Sequence, residues 1–413
     1  MPTSAPATAP ATAPAPIPNP LMLLLEHTPL GKPLEDAGFT LSGFIDGGYT
    51  ASFQHPAATN ANIAGRFQDN KSEHIVLDQI DFMIDRPVDY STGKFDVGGH
   101  FEFVYGRDTE FFHSTGIYDN PFVFGARTNP YYKSTTAPEN QADIVQAYLD
   151  FSAPVGSGLR IRVGKIVTLL GWEVINPTGN AFYSHSYLFS FAIPLTQTGV
   201  MGEYKINPEI QIDAGITRGW SQSLRDNNGD PDFLGGITYT PQGSDFLKKL
   251  KFIANLSEGP QASHDNSDWW TVVDLQAIYT DGPLTAVINA DYGDAPNALP
   301  GSSAQWGGAA FYVGYTPGNQ SFVTLNSRLE WYQDAQGYTL AGFVAPTGGT
   351  PAGVENLYEA TFGANVTWFP DDPVMKNLVF RPEIRFDYAS KDFFNGDTKH
   401  FQTTFGIDLF FKY

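Results

Sequence analysis

The chain has 413 residues and a composition unlike that of most soluble globular proteins. Charged residues make up 16%, while 32 Phe, 20 Tyr, 41 Gly and 30 Pro favour strands and turns over helices. Cysteine is absent, which excludes disulfides, iron–sulfur clusters and thiolate zinc sites. The net charge of -20 argues against nucleic acid as a partner, because the chain repels phosphate backbones.

Residues 1–37 are predicted to form a disordered N-terminal tail and lead-in that is rich in Pro and Ala. The first twenty residues contain seven Pro and six Ala, and no basic segment. The longest apolar run, Leu21–Leu25, is too short for the apolar part of a signal peptide or for a transmembrane helix. We therefore expect a mature chain with an added Met1, whose single domain covers residues 38–413.

From Phe39 onward, long segments alternate apolar and polar residues, which predicts β-strands. Sixteen strands are predicted, at 39–53, 74–86, 95–106, 142–152, 158–168, 197–206, 209–219, 233–240, 249–257, 269–280, 284–292, 305–316, 321–333, 356–368, 378–390 and 400–413. The connections after even-numbered strands are short and rich in turn residues, and most of the others are long. Both termini and the short turns are thus predicted at one end, as in an outer-membrane barrel.

Two structures explain such alternation: a soluble sheet with one packed face, or a membrane barrel with a lipid-facing outside and a polar lumen. Three features favour the barrel. Most strands are about nine to thirteen residues long, their apolar faces end in aromatic residues such as Tyr105 and Trp331, and connection lengths alternate. The predicted fold is therefore all-β, a single closed antiparallel transmembrane barrel of about 16 strands with short periplasmic turns and long extracellular loops.

The connection 169–196 is long, aromatic and low in charge. Its apolar area is better buried than solvated, so we predict that it folds into the lumen and narrows it. The residues assigned to this constriction loop are Trp172, Glu173, Asn176, Tyr183 and His185. The alternative is an outer loop that packs against its neighbours or a partner subunit.

A second connection, 226–232, carries oxygen-bearing side chains at alternate positions: Asp226, Asn228, Asp230 and Asp232. This spacing resembles a calcium loop, although no Glu closes the site and Gly229 is not at the sixth position. The alternative is a turn rich in Asn, Asp, Gly and Pro. Apart from calcium in this loop, no cofactor is predicted.

The alternation also assigns charged residues to the lumen face. A lipid-facing charge near the middle of the bilayer costs about 2–4 kcal/mol, so these side chains are expected to lie beside water. The inward acids are Asp46, Asp81, Asp85, Asp96, Glu102, Asp150, Glu203, Asp213, Asp274, Asp291, Glu330, Glu359, Glu383, Asp387 and Asp408. The inward bases are Arg160, Arg162, Lys205, Lys251, Arg328, Arg381, Arg385 and Lys412. The residues predicted to line the pore or its constriction are Arg160, Arg162, Arg328, Glu330, Glu359, Arg381, Glu383, Arg385 and Asp387. The alternative is a solvated wall with no specific site.

The final strand resembles the carboxy-terminal signature of bacterial outer-membrane proteins, which the barrel-assembly machinery reads. The matching residues are Phe405, Ile407, Leu409, Phe411 and Tyr413. A second stretch is similar to the OmpL-like β-barrel porins, the beta-barrel porin 2 family. It comprises Val163-Gly-Lys165, Gly171-Trp-Glu173, Asn176-Pro177, Tyr183-Ser-His-Ser186, Phe189, Pro194 and Thr198-Gly199. This resemblance implies a pore-forming barrel of the Gram-negative outer membrane, in contact with lipids, the assembly machinery and small hydrophilic solutes. A homo-oligomer is compatible with it.

No enzyme motif is present: the sequence has no Gly-x-Ser-x-Gly, no His-Glu-x-x-His and no phosphate-binding loop. We therefore expect a porin for passive diffusion through a water-filled lumen, and not an enzyme. The alternatives are an outer-membrane barrel that serves as an enzyme, a barrel that sheathes a partner protein, and a soluble all-β protein. The excess of inward acids predicts a modest cation preference, unless Arg328, Arg381 and Arg385 dominate the narrowest point.

Overall fold

The computed structural model describes residues 19–54, 63–89, 93–117, 139–262, 266–299, 301–318, 322–340 and 356–413. The first 18 residues of the predicted tail lie outside these ranges. The lead-in that follows is helical and not disordered, with α1 at Pro20–Glu26 and α2 at Gly31–Asp36. Asn19 caps α1 and also donates a hydrogen bond to the carbonyl of Leu41 at 2.9 Å, which ties the helix to the first strand.

Sixteen strands form one closed barrel, and neighbouring strands run antiparallel. They are β1 Thr40–Ser52, β2 His74–Arg86, β3 Asp96–Gly106, β4 Gln141–Ala153, β5 Leu159–Val167, β6 Thr196–Lys205, β7 Ile210–Thr217, β8 Asp232–Tyr239, β9 Leu250–Pro260, β10 Trp269–Asp281, β11 Leu284–Leu299, β12 Ser302–Tyr315, β13 Val323–Asp334, β14 Leu357–Val366, β15 Leu378–Ala389 and β16 Phe401–Lys412. The predicted fold class and strand number are confirmed.

Short helical segments occupy some connections. They are α3 Thr109–Phe112, the 3₁₀ turns Pro177–Gly179, Leu247–Lys249 and Met375–Asn377, the π turn Leu188–Ala192 and a kinked turn at Phe394–Asp397. Within the described ranges, no helix is long and apolar enough to cross a membrane.

The outer surface of the barrel is apolar. Leu275, Ile288 and Leu325 each expose 51% of their surface, at positions where the strand alternation points them outward. Aromatic residues such as Tyr292 and Tyr388 are also about half exposed on this outer side. A surface of this kind is stable when lipid covers it, because lipid removes the apolar area from water.

β16 closes the barrel against β1. Beyond the last paired residues, Tyr413 exchanges backbone hydrogen bonds with Gly43 at 2.8 and 2.9 Å, and its hydroxyl donates to the carbonyl of Asp81 at 2.7 Å. Phe410 breaks the outward apolar pattern of this strand because it faces inward, where the Arg381 guanidinium lies 4.8 Å from its ring centroid. The terminal strand is thus fastened by side chains as well as by its ladder.

The connection predicted at 293–304 is mostly strand. β11 and β12 continue past the predicted ends, and Leu299 pairs with Ser302. The local sequence Asp294-Ala-Pro-Asn297 is typical of a turn, and it forms an irregularity inside the paired strands, where the register shifts between Ala295 and Leu299 and Asn297 has a φ of 52°. This difference makes one wall of the barrel taller than the sequence predicts.

Candidate pore constriction

The connection between β5 and β6, residues 168–195, folds into the barrel, and we call it the inner loop. Side chains from distant strands donate hydrogen bonds to its carbonyl oxygens. The donors are Gln79 on β2 (3.1 Å), Asn255 on β9 (2.8 Å), Gln276 on β10 (2.9 Å) and Trp306 on β12 (3.0 Å). Since these strands lie on different sides of the barrel, the inner loop crosses the lumen.

Two carboxylates of the wall accept the backbone N–H groups of the inner loop. Glu330 on β13 accepts from Tyr187 and Leu188, both at 2.7 Å. Glu383 on β15 accepts from Tyr183 at 2.9 Å and from the following residue at 3.2 Å. A buried N–H without a partner is costly, so each carboxylate satisfies two donors that would otherwise oppose burial of the loop.

Three arginines of the wall bind the carbonyl oxygens of the same loop. Arg328 on β13 donates to one carbonyl at 2.8 Å, and Arg385 on β15 donates to another at 2.5 Å. Arg381, nearer the start of β15, donates to two carbonyls at 2.7 and 2.8 Å. The wall thus binds both the donors and the acceptors of the loop backbone.

These arginines also belong to a buried network of ion pairs. Arg328 lies 2.7 Å from Glu173 of the inner loop and 2.8 Å from Glu359 on β14. Arg385 lies 3.1 Å from Glu359 and 2.7 Å from Asp387. Arg381 is paired with a carboxylate on β16, that of Asp408. Buried charges are tolerated when they are paired and hydrogen-bonded in this way.

Glu173 is the carboxylate that the inner loop contributes to this network. Burial alone would raise its pKa, but Arg328, His185 and the backbone N–H of Ser186 together lower the pKa to about 2. The His185 Nδ1 atom lies 3.1 Å from the carboxylate and the Ser186 nitrogen 2.8 Å. Glu173 is therefore ionised at neutral pH and links the loop to the wall.

Seven of the predicted pore-lining residues lie on the inner face but do not meet open water. The side chains of Arg328, Glu359, Arg385 and Asp387 are 0% exposed, and Glu330, Arg381 and Glu383 are also buried. Alternation assigns the correct face. It does not predict that the inner loop covers these side chains and replaces water as their partner.

Arg160 and Arg162 belong to a separate group near the short-turn end of β5. Both pair with Asp150 on β4 at 2.9 Å, and Arg160 also lies 3.0 Å from Glu203 on β6. The two arginine side chains are 24% exposed, so this group borders the aqueous part of the lumen. Among the ion pairs of the described residues, this group shares none with the arginines of β13 and β15.

The other residues assigned to the constriction loop lie within the inner loop. The ring centroid of Trp172 is 6.4 Å from that of Tyr312 on β12. The Asn176 side chain caps the first 3₁₀ turn of the loop. The Tyr183 hydroxyl donates to a carboxylate on β2 at 3.3 Å, and the His185 ring stacks on an aromatic ring at 4.2 Å. All of them are positioned by contacts within the barrel interior.

Alternation does not assign Asp78 and Asp143 to the lumen face, although both are buried there. The reason is a shift of register in each of the strands that carry them. In β1–β2, Asp46 pairs with Gln79 but Gly47 pairs with Leu77, which leaves Asp78 as an extra residue. A similar shift in β3–β4 reverses the inward parity and buries Asp143. The sequence signal was the break in alternation itself, two adjacent polar residues at 78–79.

A third missed residue, Arg66, comes from a connection and not from a strand. It is 2% exposed and lies 3.2 Å from Asp69 and 3.2 Å from Asp387. The described part of the connection between β1 and β2, residues 63–73, therefore also enters the lumen and adds a base to the buried network. Its sequence carries no periodic pattern from which this could be predicted.

The predicted calcium loop forms Asx turns in the structure. The Asp226 side chain accepts from the backbone N–H of Asn228 at 3.0 Å, and the Asn228 side chain accepts from that of Asp230 at 3.0 Å. Asp232, at the start of β8, bonds to Gln261. No group of three or more His, Cys, Asp or Glu suited to a metal was found among the described residues. The calcium site stays a prediction.

Comparison with known proteins places this barrel in a family. A model of the family described as "Putative beta-barrel porin-2, OmpL-like" matches residues 38–413. No curated protein sequence matches the chain.

Solved structures share the barrel fold at low sequence identity. The outer membrane channel DcaP of Acinetobacter baumannii is 13% identical over 91% of this chain and 97% of that one, with a TM-score of 0.56. An anion-selective porin from Comamonas acidovorans is 9% identical over 91% and 99%, with a TM-score of 0.58. OprB of Pseudomonas putida is 11% identical over 93% and 96%, with a TM-score of 0.55.

The family match covers all sixteen strands of the barrel and the inner loop between β5 and β6. The chain therefore belongs to the OmpL-like beta-barrel porin-2 family and is an outer-membrane β-barrel of the porin type.

Proposed function

We propose that this barrel lets small hydrophilic solutes or ions diffuse passively through a lumen that the inner loop narrows. The attachment of that loop to β2, β9, β10, β12, β13 and β15 is the observation that carries the proposal. Because both its N–H groups and its carbonyls are bonded to the wall, the inner loop stays in place and limits the size of the solutes that pass. The charged wall determines the electrostatic field in which those solutes move.

Cation preference is the selectivity that the charges favour. Each of Arg328, Arg381 and Arg385 is paired with a carboxylate, so these arginines do not present a free positive cluster. The side chains of the inward acids Asp85 and Asp96, in contrast, are 40% and 35% exposed, so their carboxylates meet water in the lumen. Hydrated carboxylates raise the local concentration of cations, and salt weakens the effect because it shortens the Debye length.

Planar-bilayer recordings of the purified full chain test both parts of the proposal. We expect stable ion conductance, with a reversal potential in a salt gradient that indicates modest cation preference and grows at low salt. Absence of conductance would overturn the channel function. An anion preference that disappears in an Arg381→Ala, Arg385→Ala double variant would show that the arginines dominate the narrowest point.

An enzymatic role is less well supported. His185 lies between Ser184 and Ser186 in the chain, but its Nδ1 atom is bonded to Glu173 and its ring is stacked on Phe189. It is 6% exposed, which leaves little room for a substrate beside it. We therefore propose that Glu173 and His185 hold the loop and do no chemistry.

We further propose that copies of the chain associate through the outer face of β5–β7. Small residues there, among them Gly164, Gly202 and Ala214, leave a groove of about 940 Å³ on the outer side of the wall. Cross-linking in a mild detergent should yield a defined oligomer, and substitution of Gly202 by Trp should reduce it. Equal amounts in both proteins would contradict the proposal.

A calcium ion in the 226–232 loop would stabilise that loop. Thermal unfolding in calcium and in chelator tests this, with an Asp226→Asn, Asp230→Asn variant as the control. No difference between the two conditions would exclude the site.

A further inference from the structure

A cavity of about 310 Å³ lies beneath the inner loop, between it and the wall formed by β11–β14. Residues of the short connections, Pro283 and Thr316, also border it, so the cavity is in the short-turn half of the lumen. Its volume is at the lower end of the range for small-molecule sites. The three arginines that bind the inner loop do not border this cavity.

The lining of the cavity differs from the rest of the lumen because none of the described residues that border it is charged. The wall contributes Thr285, Thr324, Asn326 and Asn365, which carry hydroxyl and amide groups. The wall across the lumen at β4–β6 instead carries the ion-paired group around Arg160. In the short-turn half of the lumen, one side of the wall is thus neutral and polar, and the opposite side is charged.

Two aromatic rings complete the lining. Trp172 of the inner loop and Tyr312 on β12 are inclined by 53°, with their ring centroids 6.4 Å apart. Trp172 is partly exposed and borders the cavity, so its indole ring can contact a solute there. An aromatic face beside hydroxyl and amide groups suits a solute that has both C–H surfaces and hydroxyls.

The polar groups of the lining retain hydrogen-bonding capacity. The Asn326 amide nitrogen donates to the Asn365 side-chain oxygen at 3.1 Å, which leaves the amide N–H₂ of Asn365 available as a donor. The hydroxyls of Thr316 and Thr324 bond to each other at 2.8 Å, and such a pair has spare acceptor capacity. A charged solute that enters the cavity loses water from its charge and meets no residue of opposite charge. A neutral solute has no such hydration to lose.

We infer that this cavity is a binding subsite for a neutral, hydroxylated solute of about the size of one sugar ring. The inference rests on the proposed diffusion channel and names a solute class that the channel would favour. Solute bound there occupies the lumen beside the constriction, so it should reduce the ion current in a saturable way.

The test compares three pyranose probes of similar size and different charge: glucose, glucuronate and glucosamine. Each is titrated against the full chain in a planar bilayer, and the half-saturation concentration for current reduction is measured. We expect glucose to saturate, and the charged probes to need at least about tenfold higher concentrations. Equal or unsaturable reduction by all three would overturn the subsite while leaving the ion channel intact. Absence of any ion current would instead overturn the proposed function and the subsite together.

Variants locate the site. Trp172→Ala removes the indole ring and should raise the half-saturation concentration for glucose about tenfold. Because this change could also disturb the inner loop, a Thr285→Val, Asn365→Leu variant alters the opposite wall and should act in the same direction. Trp270→Ala is the control, since Trp270 lies in an aromatic cluster away from this cavity. A wild-type half-saturation concentration in both cavity variants would refute the assignment.

Discussion

Single buried charges hold the inner loop in place. Glu383, for example, accepts two loop N–H groups at 2.9 and 3.2 Å although it is 200 residues away in the chain from the first of them. Removing one partner of a buried charged group costs about 3–5 kcal/mol, because the other partner stays buried and unpaired. The position of the constriction therefore depends on a few side chains more than on the loop sequence as a whole.

Substitution Glu383→Ala should loosen the inner loop. Two backbone N–H groups lose their acceptor, at about 1–3 kcal/mol each, and the loop gains freedom within the lumen. We expect larger single-channel conductance and faster swelling of proteoliposomes with solutes near the exclusion limit. Glu203→Ala is the matched control because Glu203 pairs with Arg160 in the aqueous part of the lumen. An unchanged exclusion limit in the Glu383 variant would contradict this role.

Low pH should weaken the attachment of the inner loop, because it protonates Glu173. Its pKa is lowered from 4.5 to about 2, so its ionised form contributes stability that is complete above pH 4.5 and is lost as the pH falls through 2. We expect conductance to be steady from neutral pH down to about 5 and to change progressively below that. The variant Glu173→Gln should lack this acid step. Recordings at stepwise lower pH that show the same acid response in both proteins would exclude Glu173 as its origin.

The terminal strand is the element on which closure of the barrel depends. It pairs with β15 on one side and with β1 on the other, and Tyr413 adds bonds to Gly43 and Asp81 beyond the strand end. An open edge in lipid leaves backbone groups without partners, so the closed sheet is stable only when this element is complete.

Tyr413→Ala, or deletion of residues 411–413, should lower the amount of folded barrel in the outer membrane. The deletion removes the backbone bonds to β1 and the hydroxyl bond to β2, whereas Tyr413→Ala removes only the hydroxyl bond. Both changes also alter the aromatic signature that resembles the assembly signal. Heat-modifiable gel migration of outer-membrane fractions measures the folded form. Lys412→Ala is a control with an exposed side chain in the same strand. Normal levels of the Tyr413 variants would contradict both roles.

At the scale of the whole molecule, the two ends of the barrel differ. Connections after even-numbered strands are short, the inner loop comes from the other end, and α1 is tied to the start of β1 at the short-turn end. In outer-membrane barrels, short turns face the periplasm and long loops face the outside. The molecule should therefore have one orientation in the membrane.

Single cysteines test that orientation, and the chain has no native cysteine to interfere. Leu224→Cys lies in the connection between β7 and β8 at a residue that is 74% exposed, and it should react with an impermeant maleimide on intact cells. Asp245→Cys, in the short connection before β9, should react only after the outer membrane is opened. Labelling with the opposite pattern would reverse the topology.

Strand positions, their outward faces and the closed barrel could all be read from the sequence. These features follow from a local rule, since each strand residue faces either lipid or the lumen and its polarity must match that environment. The rule held even for Phe401–Lys412, where one inward Phe interrupts the pattern. It failed at Asp78, because an extra residue in the ladder changes the face of its neighbours without altering composition.

The hydrogen bonds and ion pairs that hold the inner loop could not be predicted from the sequence. Glu330, Arg381 and Glu383 meet loop atoms more than a hundred residues away, and no periodicity encodes such pairs. The neutral cavity beside Trp172 likewise exists because the folded loop leaves a space against β11–β14 in the short-turn half of the lumen. Local alternation decides which side chains enter the lumen, whereas their partners there depend on how the loop packs against the closed wall.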